Sequence, residues 1–376
     1  MKLRKQGPAA WRDAALRLPW LLLIPFGLLI PRLCQNHAAS IEWLFSDRLY
    51  GGIKGALSAV TSLVSFSVAE LLLYGVVLAV TAALLAVTIR VILGRAPLAA
   101  LAKRLVNLGI WFGALLVLFY ATWGLNYFRE PLKERLSLNV TERPVEELEE
   151  LTKEFAECAN ALRRSLWEDG DGVARMKDGY TAMFRALPGA YEALAREYGA
   201  FDGKVTRPKT VLWSKGLSWC GITGVYIGLT AEPNVNVDAP DFLLPQTAAH
   251  ELAHQLGVAS EDEAEFAGIL ACLYSDDPLV AYSGLLSALI SCGNALHKQA
   301  PERYRAIYDT YGPGLLHDLR YHRAYWKAFE GKTEEKANQM NDAYLRYNGQ
   351  ENGVMSYGKV VDMLLAYREQ IDFLGG

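Results

Sequence analysis

Two runs of this 376-residue chain, 71–89 and 105–127, carry no charged side chain. A helix needs roughly 20 consecutive apolar residues to cross the hydrocarbon of a bilayer. Inside lipid each backbone N–H and C=O must be bonded within the segment, which leaves the helix as the form for an isolated apolar run. Both runs therefore predict membrane helices, with a buried core helix as the alternative. The second ends in Tyr120, Trp123 and Tyr127, aromatics that suit the membrane–water interface. A third uncharged stretch, 18–31, follows Lys2, Arg4, Lys5, Arg12 and Arg17. It is short for a span and also fits a signal peptide. A snorkelling Arg32 would let the helix continue, and Pro31-Arg32-Leu33-Cys34 lacks the small residues of a lipoprotein cleavage site. The expectation is three transmembrane helices.

Lys and Arg set the expected orientation. The N-terminal segment and the connection 90–104 (Arg90, Arg95, Lys103, Arg104) are basic, whereas the connection between the first two runs has only Arg48 and Lys54 in its middle. The positive-inside rule puts the first two segments in the cytoplasm. Three crossings then leave everything after Tyr127 outside. The expected organisation is a membrane anchor, 1–127, with the lipid bilayer as its partner, and an extracytoplasmic domain, 128–376.

Composition adds exclusions. The net charge of −3 provides no basic field for nucleic acid. The five cysteines (Cys34, Cys158, Cys220, Cys272, Cys292) show no CxxC pairing, so neither a zinc knuckle nor a dithiol redox motif is present. Cys272 is expected in a helix core.

The chemistry-bearing motif is His250-Glu251-Leu252-Ala253-His254, an HExxH pattern in a chain with only six histidines. Residues i and i+4 of a helix lie on one face. Two imidazoles so placed can bind one zinc ion, and the carboxylate at i+1 can act as general base. Pro245 suits a first helical turn, and Gly257 suits the residue just past a helix end. The alternative is a surface helix with two incidental histidines.

Catalytic zinc usually takes three protein ligands and leaves one position open. Ser260 followed by Glu263 has the form of a capping box, which predicts a second helix folded back by a turn at Gly257. Glu261 and Glu263 are the candidates for the third ligand. Glu263 is preferred because it shares a face with the apolar Ala267 and Leu270. Glu261 lies on another face with Glu265 one turn on. An acidic first turn that complements the helix dipole is the bland account of both.

The remaining pattern is mainly helical with a small sheet. Helices are expected over 145–166 and over 177–198, the latter interrupted at Pro188-Gly189. Strands are expected at 210–214, at 224–230, where an edge could bind an extended peptide, and around the alternation 235–237. The region 278–373 reads as mostly helical. His317 and His322 lie on a polar part of it, where solvated or structural roles are the simpler account.

Several short runs together carry a resemblance: NYFREPL at 126–132, GITG at 221–224, TAEPNVN at 230–236, HELAHQLG at 250–257, EDEA at 261–264 and SYG at 356–358. In these the chain resembles an uncharacterised family of bacterial membrane proteins, domain of unknown function 3810, over nearly its whole length. The resemblance implies a zincin-like α+β domain behind the anchor. With its side-chain type, it also makes Tyr357, in the SYG element, first choice for stabilising an oxyanion; by side-chain type alone Tyr226 and Tyr282 are alternatives, and an ordinary packed aromatic is the simpler account of each. The family often has Asn after EDEA; Glu265 here departs from that and changes the charge beside the ligands.

The function expected from these features is a membrane-anchored zinc metallohydrolase, a peptidase acting on a protein or peptide outside the cytoplasm. Zn2+ would sit on His250, His254 and Glu263 or Glu261, with Glu251 as base. A non-catalytic zinc-stabilised binding or sensing domain is the alternative, although such a site has no use for Glu251. An intramembrane protease ranks below both, because the motif lies in none of the apolar runs.

Overall fold

The computed structural model describes residues 8–350 and 357–368, and the chain is mainly helical with one three-stranded sheet. Near the N-terminus, 11–34 is a chain of helical turns that includes α1 (Leu23–Cys34). Two long helices follow the next connection, which contains α2 (Gly51–Thr61): α3 (Val68–Ile92) and α4 (Leu98–Thr122). Segment 11–34, α3 and α4 are all long and apolar enough to cross a membrane, and little or none of their apolar windows is buried: 17%, 0% and 11%. Leu72, Val77, Leu78, Trp111 and Phe112 point outward, as lipid-facing side chains do.

The connection between segment 11–34 and α3 is not a plain linker. Its middle, 42–50, is a wide π-helical stretch. Tyr50 donates to the Gln255 carbonyl at 2.9 Å, Lys54 to the Lys204 carbonyl at 2.8 Å, and Thr61 to the Thr230 carbonyl at 3.1 Å. Arg129 Nε donates to Glu42 at 2.9 Å. Ile41, Phe45 and Tyr50 join Tyr120, Trp123 and Phe128 in a small apolar core with Tyr226, Ala231 and Ala259. The start of α3 is fully accounted for: Glu232 accepts from the Val68 and Ala69 N–H groups, and the Ser67 hydroxyl caps Glu70.

The main core lies in the later part of the chain. It is formed by α5 (Val145–Arg163), α6 (Gly179–Glu197), α8 (Leu244–Gln255), α9 (Glu261–Leu273), α10 (Pro278–Gln299) and α13 (Tyr357–Arg368). Helix α11 (Pro313–Lys327) adds Leu315 to it, and α7 (Ser214–Trp219) and α12 (Lys332–Tyr347) lie outside this core. Helix α10 is also long and apolar enough for a span, but 67% of its window is buried in protein, which makes it a core helix. Helix α6 runs through Pro188 without the expected interruption; Leu187, Tyr191 and Leu194 are buried and hold it against the core. Cys272 and Cys292 are buried free thiols.

The sheet has β3 (Glu232–Val235) in the middle, parallel to β1 (Lys209–Thr210) and antiparallel to β2 (Gly224–Ile227). The strand expected over 210–214 is cut to its first residue, because the chain turns into α7 at Ser214. Pro233 is tolerated in the middle strand because β1 pairs only with Asn234 and Val235, so nothing there needs its missing N–H. Strand β2 is an edge and lies against α8.

Candidate metal centre

Helix α8 is not a surface helix. Leu244, Ala248, Leu252 and Ala253 are all buried on it, and so are Glu251 and His254. It stops at Gly257, whose φ is +86°. The Val258 N–H bonds the Ala253 carbonyl and the Gly257 N–H bonds the His254 carbonyl, the paired pattern of a Schellman turn. This sharp reversal sends the chain into α9 beside α8. Gly268 sets how close the helices come: a Cβ there would lie 2.9 Å from the His250 backbone nitrogen. Glu261, Glu265 and Gly268 are spaced i, i+4, i+7, so all three face α8.

His250 Nε2 is 3.0 Å from His254 Nε2 and 3.2 Å from Glu261 Oε2, and His254 Nε2 is 3.7 Å from the same oxygen. Ligand atoms about 2.0–2.1 Å from a tetrahedral zinc lie about 3.3 Å apart. The three observed distances straddle that value. Among the described residues, this trio is the group whose donor atoms come close enough to share a metal ion.

The outer ring nitrogens are held from behind. His254 Nδ1 is 2.7 Å from the Val258 carbonyl, which fixes the proton there and leaves Nε2 free to ligate. His250 Nδ1 is 3.3 Å from Glu265 Oε2, and Gln246 and Ser287 both donate to that carboxylate. The Trp123 indole, at the end of α4, donates to the His254 carbonyl at 3.0 Å. Burial lowers the His250 imidazole, but Glu261 and Glu265 outweigh it and carry the group well above its ordinary range. Burial raises the Glu261 carboxyl, and His254 and His250 outweigh that and hold it well below the usual range. The cluster favours a positive charge at its centre, which a metal cation would supply.

Glu251 stands apart from the trio. It is 4% exposed, and its Oε2 has no hydrogen-bond partner among the described residues, an arrangement that costs free energy unless a ligand or water completes it. Burial pushes its carboxyl up to about 7, against the opposing pull of the two imidazoles. Strand β2 is pressed onto it at Gly224, where a Cβ would sit 2.5 Å from Glu251 Oε1.

The preference for Glu263 as third ligand does not match this geometry. Its carboxylate accepts from the Leu132 N–H at 2.8 Å, and Arg135 and Arg129 act on it there. Nor does it close a capping box, since Ser260 makes no side-chain cap. The preference rested on an apolar face, but α9 is buried almost all round (Ala264, Phe266, Ala267, Ile269, Leu270, Cys272), so polarity cannot single one out. The readable signal was Gly268, in line with Glu261 and Glu265. Tyr282 donates to Asp318 inside the helical core. The Tyr226 phenol is 3.2 Å from that of Tyr50. The Tyr357 side chain lies outside the described residues. His317 and His322, on α11, are not members of the metal group.

A family model described as "Protein of unknown function (DUF3810)" matches residues 45–365, and the chain belongs to that family. No curated protein and no solved structure matches it.

Proposed function

We propose that the protein is a membrane-anchored zinc-dependent hydrolase, a peptidase acting on a protein or peptide outside the cytoplasm. The observation that carries this is the pairing of a three-ligand group at tetrahedral spacing with an unpartnered, buried Glu251 oxygen one residue along. His250, His254 and Glu261 would hold the ion. When bound, zinc lowers the pKa of water to about 7 and polarises a carbonyl.

The chain's own residues supply the rest. Glu251 Oε2 accepts a proton from the attacking water and delivers it to the leaving amine, a relay open to a buried carboxylate oxygen with no other bond among the described residues. Gly224 allows β2 to lie on that carboxylate. As an edge strand, β2 offers main-chain donors and acceptors to an extended peptide beside the ligands. Glu265 and the Val258 carbonyl keep both imidazoles oriented. The outside location follows from the Lys/Arg asymmetry of the loops.

Glu251→Gln separates catalysis from metal binding. Zinc content and folding should stay at the wild-type level, while hydrolysis falls by about 10²–10⁴. Envelope peptides of cells expressing either form can be compared by mass spectrometry. If both forms retain zinc and produce the same peptides, the protein is a zinc-stabilised binding domain and not an enzyme.

A further inference from the structure

Two exposed apolar features contact the apolar N-terminal helices. The first is the turn ahead of α7. Leu212 is 76% exposed and Trp213 60%, and their backbone N–H groups donate to Glu70, in the first turn of α3. The second is on α12, where Met340, Tyr344 and Tyr347 are spaced i, i+4, i+7 and form one stripe. All three are exposed, Met340 by 75%. The Tyr347 hydroxyl donates to the Leu28 carbonyl, inside the apolar segment 11–34. The Tyr344 ring lies against Phe119 of α4, and its hydroxyl accepts from Tyr127 at 3.1 Å. Tyr127 and Tyr344 both feel the Glu261 charge.

These contacts fix the level of the two features. Helix α12 is about 24 Å long at 1.5 Å per residue. Its first turns meet Gly221, in the chain that leads into β2, and its last turn meets α1. With segment 11–34 and α3 crossing the bilayer as the proposed function has them, a stripe bonded at one end to the Leu28 carbonyl and a loop bonded to the first turn of α3 fall near the bilayer surface. Tyr and Trp are favoured at that level because each has an apolar body and a polar tip.

Resting on the proposed hydrolase reading for its substrate half, we propose that Leu212–Trp213 and the Met340–Tyr344–Tyr347 stripe form a lipid-contacting rim. The metal centre then opens at the headgroup level, and its substrates are membrane-anchored polypeptides cut close to where they leave the bilayer. The occupant of the rim is the same bilayer that holds the N-terminal helices.

The rim can be tested without any substrate. A fluorescent amino acid is introduced at 212, at 340, at the lipid-facing position 77 and at 335, which lies on another face of α12. The zinc-loaded full chain is reconstituted into phosphatidylcholine–phosphatidylglycerol vesicles with or without brominated lipid. Quenching at 212 and 340 should approach that at 77 and exceed that at 335 several-fold. Quenching at 212 or 340 no greater than at 335 overturns the rim. The substrate half is read from a peptide mixture of random sequence, offered free or palmitoyl-anchored in the same vesicles. Anchored peptides should be cut at least about tenfold faster. Equal rates overturn delivery from the bilayer. If wild type and Glu251→Gln cut neither form, the hydrolase reading and the substrate class fall together, and the quenching result alone decides the rim.

Discussion

The three glutamates at the start of α9 have distinct neighbours, and zinc affinity should rank them. Glu261 contributes the oxygen at 3.2 and 3.7 Å from the two imidazole nitrogens. Glu265 acts only through His250 Nδ1. Glu263 faces Leu132 and the arginines. Loss of an outer partner of a ligating histidine typically costs about 10–100-fold in metal affinity. Glu265→Gln should fall near the low end, about tenfold, since the amide oxygen can still accept from the ring. Glu261→Gln removes a ligand and should exceed about 100-fold, whereas Glu263→Gln should change affinity by less than about threefold. The assay is competition against a chelating dye with the purified full chain in detergent. Glu263→Gln has a second readout. Burial raises its carboxyl to about 7 from an ordinary 4.5. A carboxyl raised on folding leaves stability intact below the unfolded value and erodes it as pH rises through the folded one. The shift corresponds to at most about 3 kcal/mol. In metal-free protein Glu263→Gln should therefore flatten the decline of stability between pH 4.5 and 7, leaving the share due to Glu251. If Glu263→Gln weakens zinc as much as Glu261→Gln, the assignment of the trio is wrong.

Other perturbations test neighbouring features. Gly224→Ala puts a methyl 2.5 Å from Glu251 Oε1 and must displace that carboxylate by about 1 Å from ordinary contact distance; misplacement of that size costs about 10² in rate, so turnover should drop with zinc retained, and full activity would refute the β2–Glu251 contact. Lys54 is buried, and burial lowers its amine to about 8. The folded state thus binds fewer protons than the unfolded chain between pH 8 and 10.5, and wild-type stability should rise with pH across that window. Lys54→Met should be more stable by about 1–3 kcal/mol at pH 7, the lost bond to Lys204 offsetting part of the gain, with the difference shrinking above pH 8; chemical denaturation at pH 7 and 10 reads this, and a pH-independent difference would count against it. A reporter fused at the C-terminus that works only outside the cytoplasm should be active, and activity of a cytoplasm-only reporter would reverse the proposed orientation.

Much of this arrangement is written locally. The i, i+4 spacing of His250 and His254, the helix stop at Gly257 and the helix start after Ser260 each depend on a few adjacent residues, and each is found where the pattern places it. The uncharged run 71–89 lies within α3, while 105–127 is in α4 only as far as Thr122, and its Tyr120 and Trp123 are packed in protein. Long-range partners are where local pattern fails. Nothing near Tyr50 or Glu42 announces Gln255 or Arg129, so the sequence shows the segment before α3 only as a connection, and its place in the core is not legible there. The choice between Glu261 and Glu263 turned on a helix–helix approach at Gly268, which apolar periodicity does not encode when the helix is buried on nearly every side. The residues 210–214 satisfied a strand pattern, yet only Thr210 pairs in the named sheet.

Glu232 has a consequence for modularity. Its carboxylate sits in β3, pairs with Lys209, and at the same time holds the first two N–H groups of α3. Lys209 also donates to the Thr61 carbonyl. One buried ion pair thus belongs to both halves of the chain, and so do the Trp123 indole on His254 and the Tyr50 hydroxyl on Gln255. A fragment cut after residue 127 would keep the metal ligands but lose the donors that seat the end of α8, and would leave Glu232 facing N–H groups that are gone. Cutting before residue 38 would keep those contacts and sever only the first apolar helix. Any piece that keeps all of these contacts therefore includes the long apolar helices α3 and α4, so the part that carries the metal ligands is not an independent cassette.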